Sequence, residues 1–112
     1  KNTMNGKKYY VLNEWGIEPK TENSFCHCIV GPATEEDELN DGQDSYSIHG
    51  GFTFDLYNSI REAIENTGFR PNSIEFKGCS EKELKESARI VNELTSNKEF
   101  MAKFNSENQE NK

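Results

Sequence analysis

SYSIHGGFTF, residues 45–54, sits where the chain passes from strand-like to helix-like periodicity. Tyr46 and Ile48 alternate with smaller residues, Gly50 and Gly51 interrupt, and Phe52 and Phe54 resume the alternation. A period of two sends successive side chains to opposite faces of a strand. A glycine pair inside that pattern predicts a bulge, or a point where something comes close to the backbone, because glycine alone leaves the Cβ position open. One interrupted strand is therefore expected over 45–54.

Working upstream, KKYYVLNEW, residues 7–15, is aromatic and β-branched and ends before Gly16 and Pro19, as a strand does. SFCHCIVG, residues 24–31, is a second strand, closed by Gly31 and Pro32. Phe25, His27 and Ile29 share one face of it and Cys26, Cys28 and Val30 the other. Both faces are largely apolar, which predicts an interior strand covered on both sides.

Downstream the period changes. Leu56, Ile60, Ala63 and Ile64 recur at helical spacing, with Asp55 placed as N-cap and Gly68 at the C-terminal end. NSIEFKG, residues 72–78, returns to strand alternation through Ile74 and Phe76. Ser80 with Glu83, and Ser96 with Glu99, are Ser-x-x-Glu boxes in which each residue can satisfy a free backbone donor of the other. The first opens a helix with Leu84, Ala88, Val91 and Leu94 on one stripe, and the second a helix carrying Phe100, Met101 and Phe104. Residues 105–112 contain no apolar side chain and are expected to form a disordered tail. The order β-β-β-α-β-α-α predicts one α+β domain over residues 1–104, a small largely antiparallel sheet with helices packed on one face.

At 112 residues the chain has the length of one domain, and its seven Phe, four Tyr and single Trp offset a low apolar share of 32% when a core is built. No apolar run approaches a membrane span, and the start KNTMNGKKYY lacks the apolar stretch of a signal peptide. A soluble, cytoplasmic protein is expected. Three cysteines, an odd number, fit reduced thiols better than a disulfide framework.

Charge is unevenly placed. Residues 35–66 hold nine acids against Arg61 alone, a net of −8, while the whole chain carries −7. Direct nucleic-acid binding needs clustered Lys and Arg, so this distribution excludes it as an expectation and points to a basic partner instead. Glu35, Glu36, Asp37, Glu38, Asp41 and Asp44 crowd into residues 33–44, and Glu62 and Glu65 extend the strip from the following helix. These eight are the expected partner-binding residues.

Reaction chemistry has little behind it. Cys26, His27, Cys28, His49 and Cys79 are all metal-ligand types, but Cys-x-Cys on a strand holds two sulfurs on one side while His27 points away, unlike the knuckles that wrap zinc. No local signature joins a thiol to a histidine base. DELNDGQDSY fails as a calcium loop because Leu39 falls where an oxygen ligand is needed. No nucleotide-binding glycine motif is present, although His49, Gly50 and Gly51 could border a small ligand approaching the backbone. No catalytic residue, metal or cofactor is expected.

Over residues 28–54, the IVG that ends one strand and the later IHGGFTF are similar to segments of small proteins of phages and their bacterial hosts. That group has a strand ending in glycine and then His-Gly-Gly, Leu or Ile, Thr-Phe; the acidic loop and the helices depart from it. The resemblance implies a phage or mobile-element origin and carries no activity. In size, acidity and lack of a catalytic motif the chain is also similar, at the level of class, to anti-CRISPR inhibitors. The expected function is an acidic inhibitor, acting in the host cytoplasm, that blocks the basic surface of a nucleic-acid-binding effector or nuclease. The alternatives are an immunity protein against a nuclease toxin, and a small-ligand or metal-binding protein using His49, Gly50 and Gly51.

Overall fold

The computed structural model describes residues 8–110. In chain order it holds β1 (Tyr9–Ile17), β2 (Ser24–Pro32), a 3₁₀ turn (Glu36–Asn40), β3 (Gln43–Ser47), β4 (Gly50–Tyr57), α1 (Ile60–Glu65), a second 3₁₀ turn (Pro71–Ser73), β5 (Ile74–Phe76), α2 (Glu81–Thr95) and α3 (Lys98–Glu110). The strands form one sheet in the order β3-β4-β1-β2-β5. All neighbours are antiparallel except β2 and β5, which run parallel. The class is α+β, with one strand more before the first helix than the sequence predicts. The expected strand start at Lys7 and the tail residues 111 and 112 lie outside the described residues. Helical backbone takes in residues 105–110 of the expected tail.

The extra strand comes from residues 45–54. They are two strands of a hairpin and not one bulged strand: β3 ends at Ser47, β4 begins at Gly50, and Gln43 through Ser47 pair with Phe54 back to Gly50. The tip is closed by Ser47, whose hydroxyl accepts from the His49 N–H at 3.1 Å and donates to the Gly50 carbonyl at 3.0 Å. The close approach that the glycines foretell is to the protein's own β1. Gly50 has φ +147°, and a Cβ there would lie 2.3 Å from the Trp15 carbonyl oxygen. The Trp15 indole lies over Gly51, where a Cβ would meet its Cζ2 at 2.8 Å.

Three helical expectations shift. Asp55, Leu56 and Tyr57 belong to β4, held by β1 through Tyr9↔Tyr57 and Val11↔Asp55. The N-cap of α1 is Ser59, whose hydroxyl accepts from the Glu62 N–H at 3.0 Å. Ser80 and Glu83 do form the expected box at α2. Ser96 instead ends α2, and Asn97 starts α3 by accepting from the Phe100 N–H through Oδ1 at 3.0 Å. Within α2 the buried stripe is Ser87, Ile90 and Leu94, whereas Leu84 and Ala88 are exposed. Ser87 can be buried because its hydroxyl donates to the Glu83 carbonyl at 2.8 Å.

Side-chain alternation divides the sheet. On one face Val11, Cys28 and Val30 meet Ile60, Ala63 and Ile64 of α1 and Ile90 and Leu94 of α2, with Tyr9, Tyr57, Ile74, Phe76 and Phe100 around them. The other face carries Tyr10, Leu12, Ile29, Phe54 and Leu56 by the same register. Tyr10 and Phe54 stack there with centroids 5.5 Å apart.

The Tyr9 hydroxyl fastens α2 to the sheet by donating to Glu83 Oε2 at 2.6 Å. That bond, with donation from the Ser80 backbone, holds the Glu83 carboxyl below its ordinary value. Burial, then the Glu83 contact, pushes the Tyr9 hydroxyl up to about 12. The Glu83 share of stability is complete above the ordinary carboxylate range and disappears as pH falls through the lowered value. The Tyr9 share is complete below the hydroxyl's ordinary 10.0 and is lost as pH rises towards about 12. Tyr9→Phe is expected to lower the unfolding free energy by about 1–2 kcal/mol at neutral pH. Urea unfolding should show the gap to wild type narrowing as pH falls below the ordinary carboxylate range.

Candidate functional site

The acidic segment does not stand out as a free loop. Its 3₁₀ turn opens with a reciprocal pair in which the Thr34 N–H donates to Asp37 Oδ2 at 2.8 Å and the Asp37 N–H donates to Thr34 Oγ1 at 3.3 Å. The turn packs against β4, and the Asp37 charge, after burial, helps to raise the Tyr10 hydroxyl. That places Asp37 over the sheet face opposite the helices. Asp41 Oδ1 accepts from the Leu56 N–H at 3.0 Å, while the Gly42 N–H donates to the Phe54 carbonyl at 2.7 Å. Asp41 thus takes over the bonding of β4 just where β3 has yet to begin.

Asp41→Ala is expected to cost about 1–2 kcal/mol, because Leu56 loses its acceptor in a buried part of the strand. Glu36→Gln, on an exposed side chain with no such bond, should stay within about 0.5 kcal/mol of wild type. Urea midpoints of the two variants check the contrast.

Glu35, Glu36, Asp41 and Asp44 are exposed, and Asp37 and Glu38 are half-buried. Glu38 Oε2 is enclosed with no hydrogen-bond partner among the described residues. Among those residues Glu36, Glu38 and Asp44 take part in no ion pair. The two helical acids are placed differently. Glu62 Oε1 accepts from the Asn58 N–H at 2.9 Å, and Glu65 lies 3.6 Å from Arg61, which also reaches Glu93 at 2.9 Å. Burial, then Asp55, Glu62 and Asp41 together, raise the Tyr57 hydroxyl. Glu62 therefore joins Asp41 near the end of β4, whereas Glu65 is compensated by Arg61.

His49, Gly50 and Gly51 lie at the far end of the sheet. The His49 carbonyl accepts from the Ile17 N–H at 3.1 Å, so the β3–β4 tip is tied to β1. Between this tip and the β1–β2 hairpin opens a cleft of about 570 Å³, lined by Trp15, Ile17, Phe25, Ile48, His49 and Gly50 among others. Ile48 is 87% exposed and Phe25 46%. Glu18 and Glu22 line a separate hollow of about 710 Å³ that shares Ile17 and His49 with the cleft. The apolar members were not singled out in the sequence, since each sits within a strand or a turn where an isolated apolar residue is ordinary. Their only signal is position, beside the turn glycines.

Among the described residues no group of three or more His, Cys, Asp or Glu is arranged to hold a metal ion. His27 contacts Glu14 at 2.7 Å and Glu75 at 3.9 Å on the face away from the helices. Burial, then the neighbouring Cys26, pushes the Cys28 thiol up to about 12, and burial, then Glu83, raises Cys79. Neither is poised as a thiolate. Among the described residues no helix is long and apolar enough to cross a membrane.

The fold and this surface define a small α+β domain with an acidic turn on one sheet face and an open apolar cleft at the sheet's end. Comparison with protein-family models, with curated proteins and with solved structures finds no match.

Proposed function

We propose that the chain is a protein-binding inhibitor whose acidic turn covers a basic, nucleic-acid-binding surface of a partner. The supporting observation is an acid-rich stretch: residues 21–60 contain no Lys or Arg, and within them the turn exposes Glu35, Glu36 and Asp41. Burying a partner's cations against such a surface steers encounter and refuses competing polyanions. A phage anti-defence role, similar in class to anti-CRISPR inhibitors, is the setting that fits this mechanism. No enzymatic step is proposed.

Asp37 and Asp41 maintain the turn, so the substitutions that test the surface are Glu35→Gln and Glu36→Gln. The immobilised chain is expected to capture a nucleic-acid-binding protein from the natural host in low salt and to release it when duplex DNA or RNA is added. The double variant should capture little. Equal capture by wild type and double variant, or a captured protein indifferent to nucleic acid, contradicts the mechanism.

The cleft beside His49 and Gly50 carries a second reading, a small-ligand binder. A ligand held there at a hundred times its dissociation constant adds about 2.7 kcal/mol to stability. A thermal-shift screen of nucleotides and divalent metals in which no compound raises the melting temperature removes that reading.

A further inference from the structure

Among the described residues β3 closes one side of the sheet and pairs with β4 alone. All five of its residues are exposed, and none is the Lys or Pro with which sheet edges commonly refuse another strand. The opposite edge, β5, is only three residues long. Asp44 and Tyr46 lie two positions apart and so share a face, opposite Thr53 and Gly51 of β4. Tyr46 is 66% exposed, and its ring leans on the Trp15 indole with centroids 5.4 Å apart and planes at 49°. The indole lies in the space that Gly51 leaves empty. An aromatic shelf thus stands beside an exposed carboxylate along an open strand edge, in a segment that carries no cation of its own.

We propose, resting on the reading of this chain as a binder of a basic protein, that the β3 edge receives an extended, arginine-bearing segment of that partner by strand addition, with an arginine laid on Tyr46 and its guanidinium turned to Asp44. Strand addition draws affinity from backbone bonds and specificity from alternate side chains, and here the alternate positions offered are Asp44 and Tyr46. Arginine suits them better than lysine, because its planar group stacks on an aromatic face and presents a fork of donors to a carboxylate. An extended nucleic-acid strand is disfavoured at the same edge, since Asp44 repels phosphate.

The test uses the full chain and a short blocked peptide alternating arginine with threonine, at low salt. Backbone amide shifts by NMR and the emission of Trp15, the only tryptophan, report binding. A saturable shift at residues 43–47 is expected, weakened about fivefold or more by Asp44→Asn, by Tyr46→Ser, or by lysine in place of arginine. Because one edge of a strand uses only alternate N–H groups, N-methylating the peptide in one register should abolish binding while methylating the other register spares it. Both variants alter exposed side chains, and matched melting temperatures establish that the fold is kept.

Equal binding of both methylated peptides, or no saturable shift at all, overturns the proposal. Shifts at residues 35–41 with 43–47 unmoved overturn it also while leaving the acidic-turn mechanism standing. Shifts at 43–47 together with undiminished partner capture by the Glu35→Gln, Glu36→Gln chain support strand addition and reject that mechanism.

Discussion

A Gly50→Ala chain is expected to lose about 4 kcal/mol of unfolding free energy, a large share of what a domain this size possesses. Two costs add. At φ +147° an L side chain is strained by roughly 1–3 kcal/mol. The new Cβ also meets the Trp15 carbonyl at 2.3 Å and the Gly16 Cα at 2.7 Å, both backbone atoms held in the β1–β4 ladder, and overpacking of that kind costs roughly 1–3 kcal/mol more. Gly42→Ala is the control: its φ is +84° but nothing lies within 4 Å of a Cβ there, so only about 1–2 kcal/mol is expected. Urea unfolding followed by Trp15 emission measures both. Equal losses at the two glycines would mean that β1 and the hairpin tip are not in the close contact described.

Ile64→Ala is expected to cost about 3 kcal/mol. Ile64 is fully buried between α1 and the sheet, in the cluster with Val11, Cys28, Val30, Ile90 and Leu94, and α1 has only six residues with which to hold itself in place. A helix that short has no stability apart from its packing, so truncation should loosen α1 and the neighbouring Asp55–Tyr57 end of β4 together. Hydrogen exchange of the amides of residues 60–65 should accelerate alongside the fall in the urea midpoint. A loss below about 1 kcal/mol would contradict the placement of α1 over the sheet.

The strands in which apolar residues alternate or run together, β1 and β2, were legible because burial imposes the pattern directly on the sequence. The hairpin at 47–50 was not, since its turn uses the Ser47 hydroxyl and places Ile48 in solvent, where a turn dipeptide would have been the usual signal. Leu56, Ile60 and Ile64 fit a helical period over a segment whose first part is strand; pairing of Tyr9 with Tyr57 decides it, and no local propensity records that contact. Ser87 escaped the apolar stripe of α2 because its burial depends on a bond to Glu83. The acidic segment was legible as charge. That Asp37 builds the turn and Asp41 serves Leu56 follows from partners that only folding brings near. The cleft at the sheet's end was legible only at His49, Gly50 and Gly51.

Ionic strength separates an electrostatic inhibitor from a domain whose acids merely keep it dispersed. The direct measurement is the association rate of the purified chain with its captured partner, from low salt to about 0.5 M, where charges are screened within a few ångströms. The acidic-turn mechanism predicts a rate that falls at least about tenfold over that range, and a Glu35→Gln, Glu36→Gln chain that is already slow in low salt. A rate indifferent to salt and identical in the two chains would contradict it.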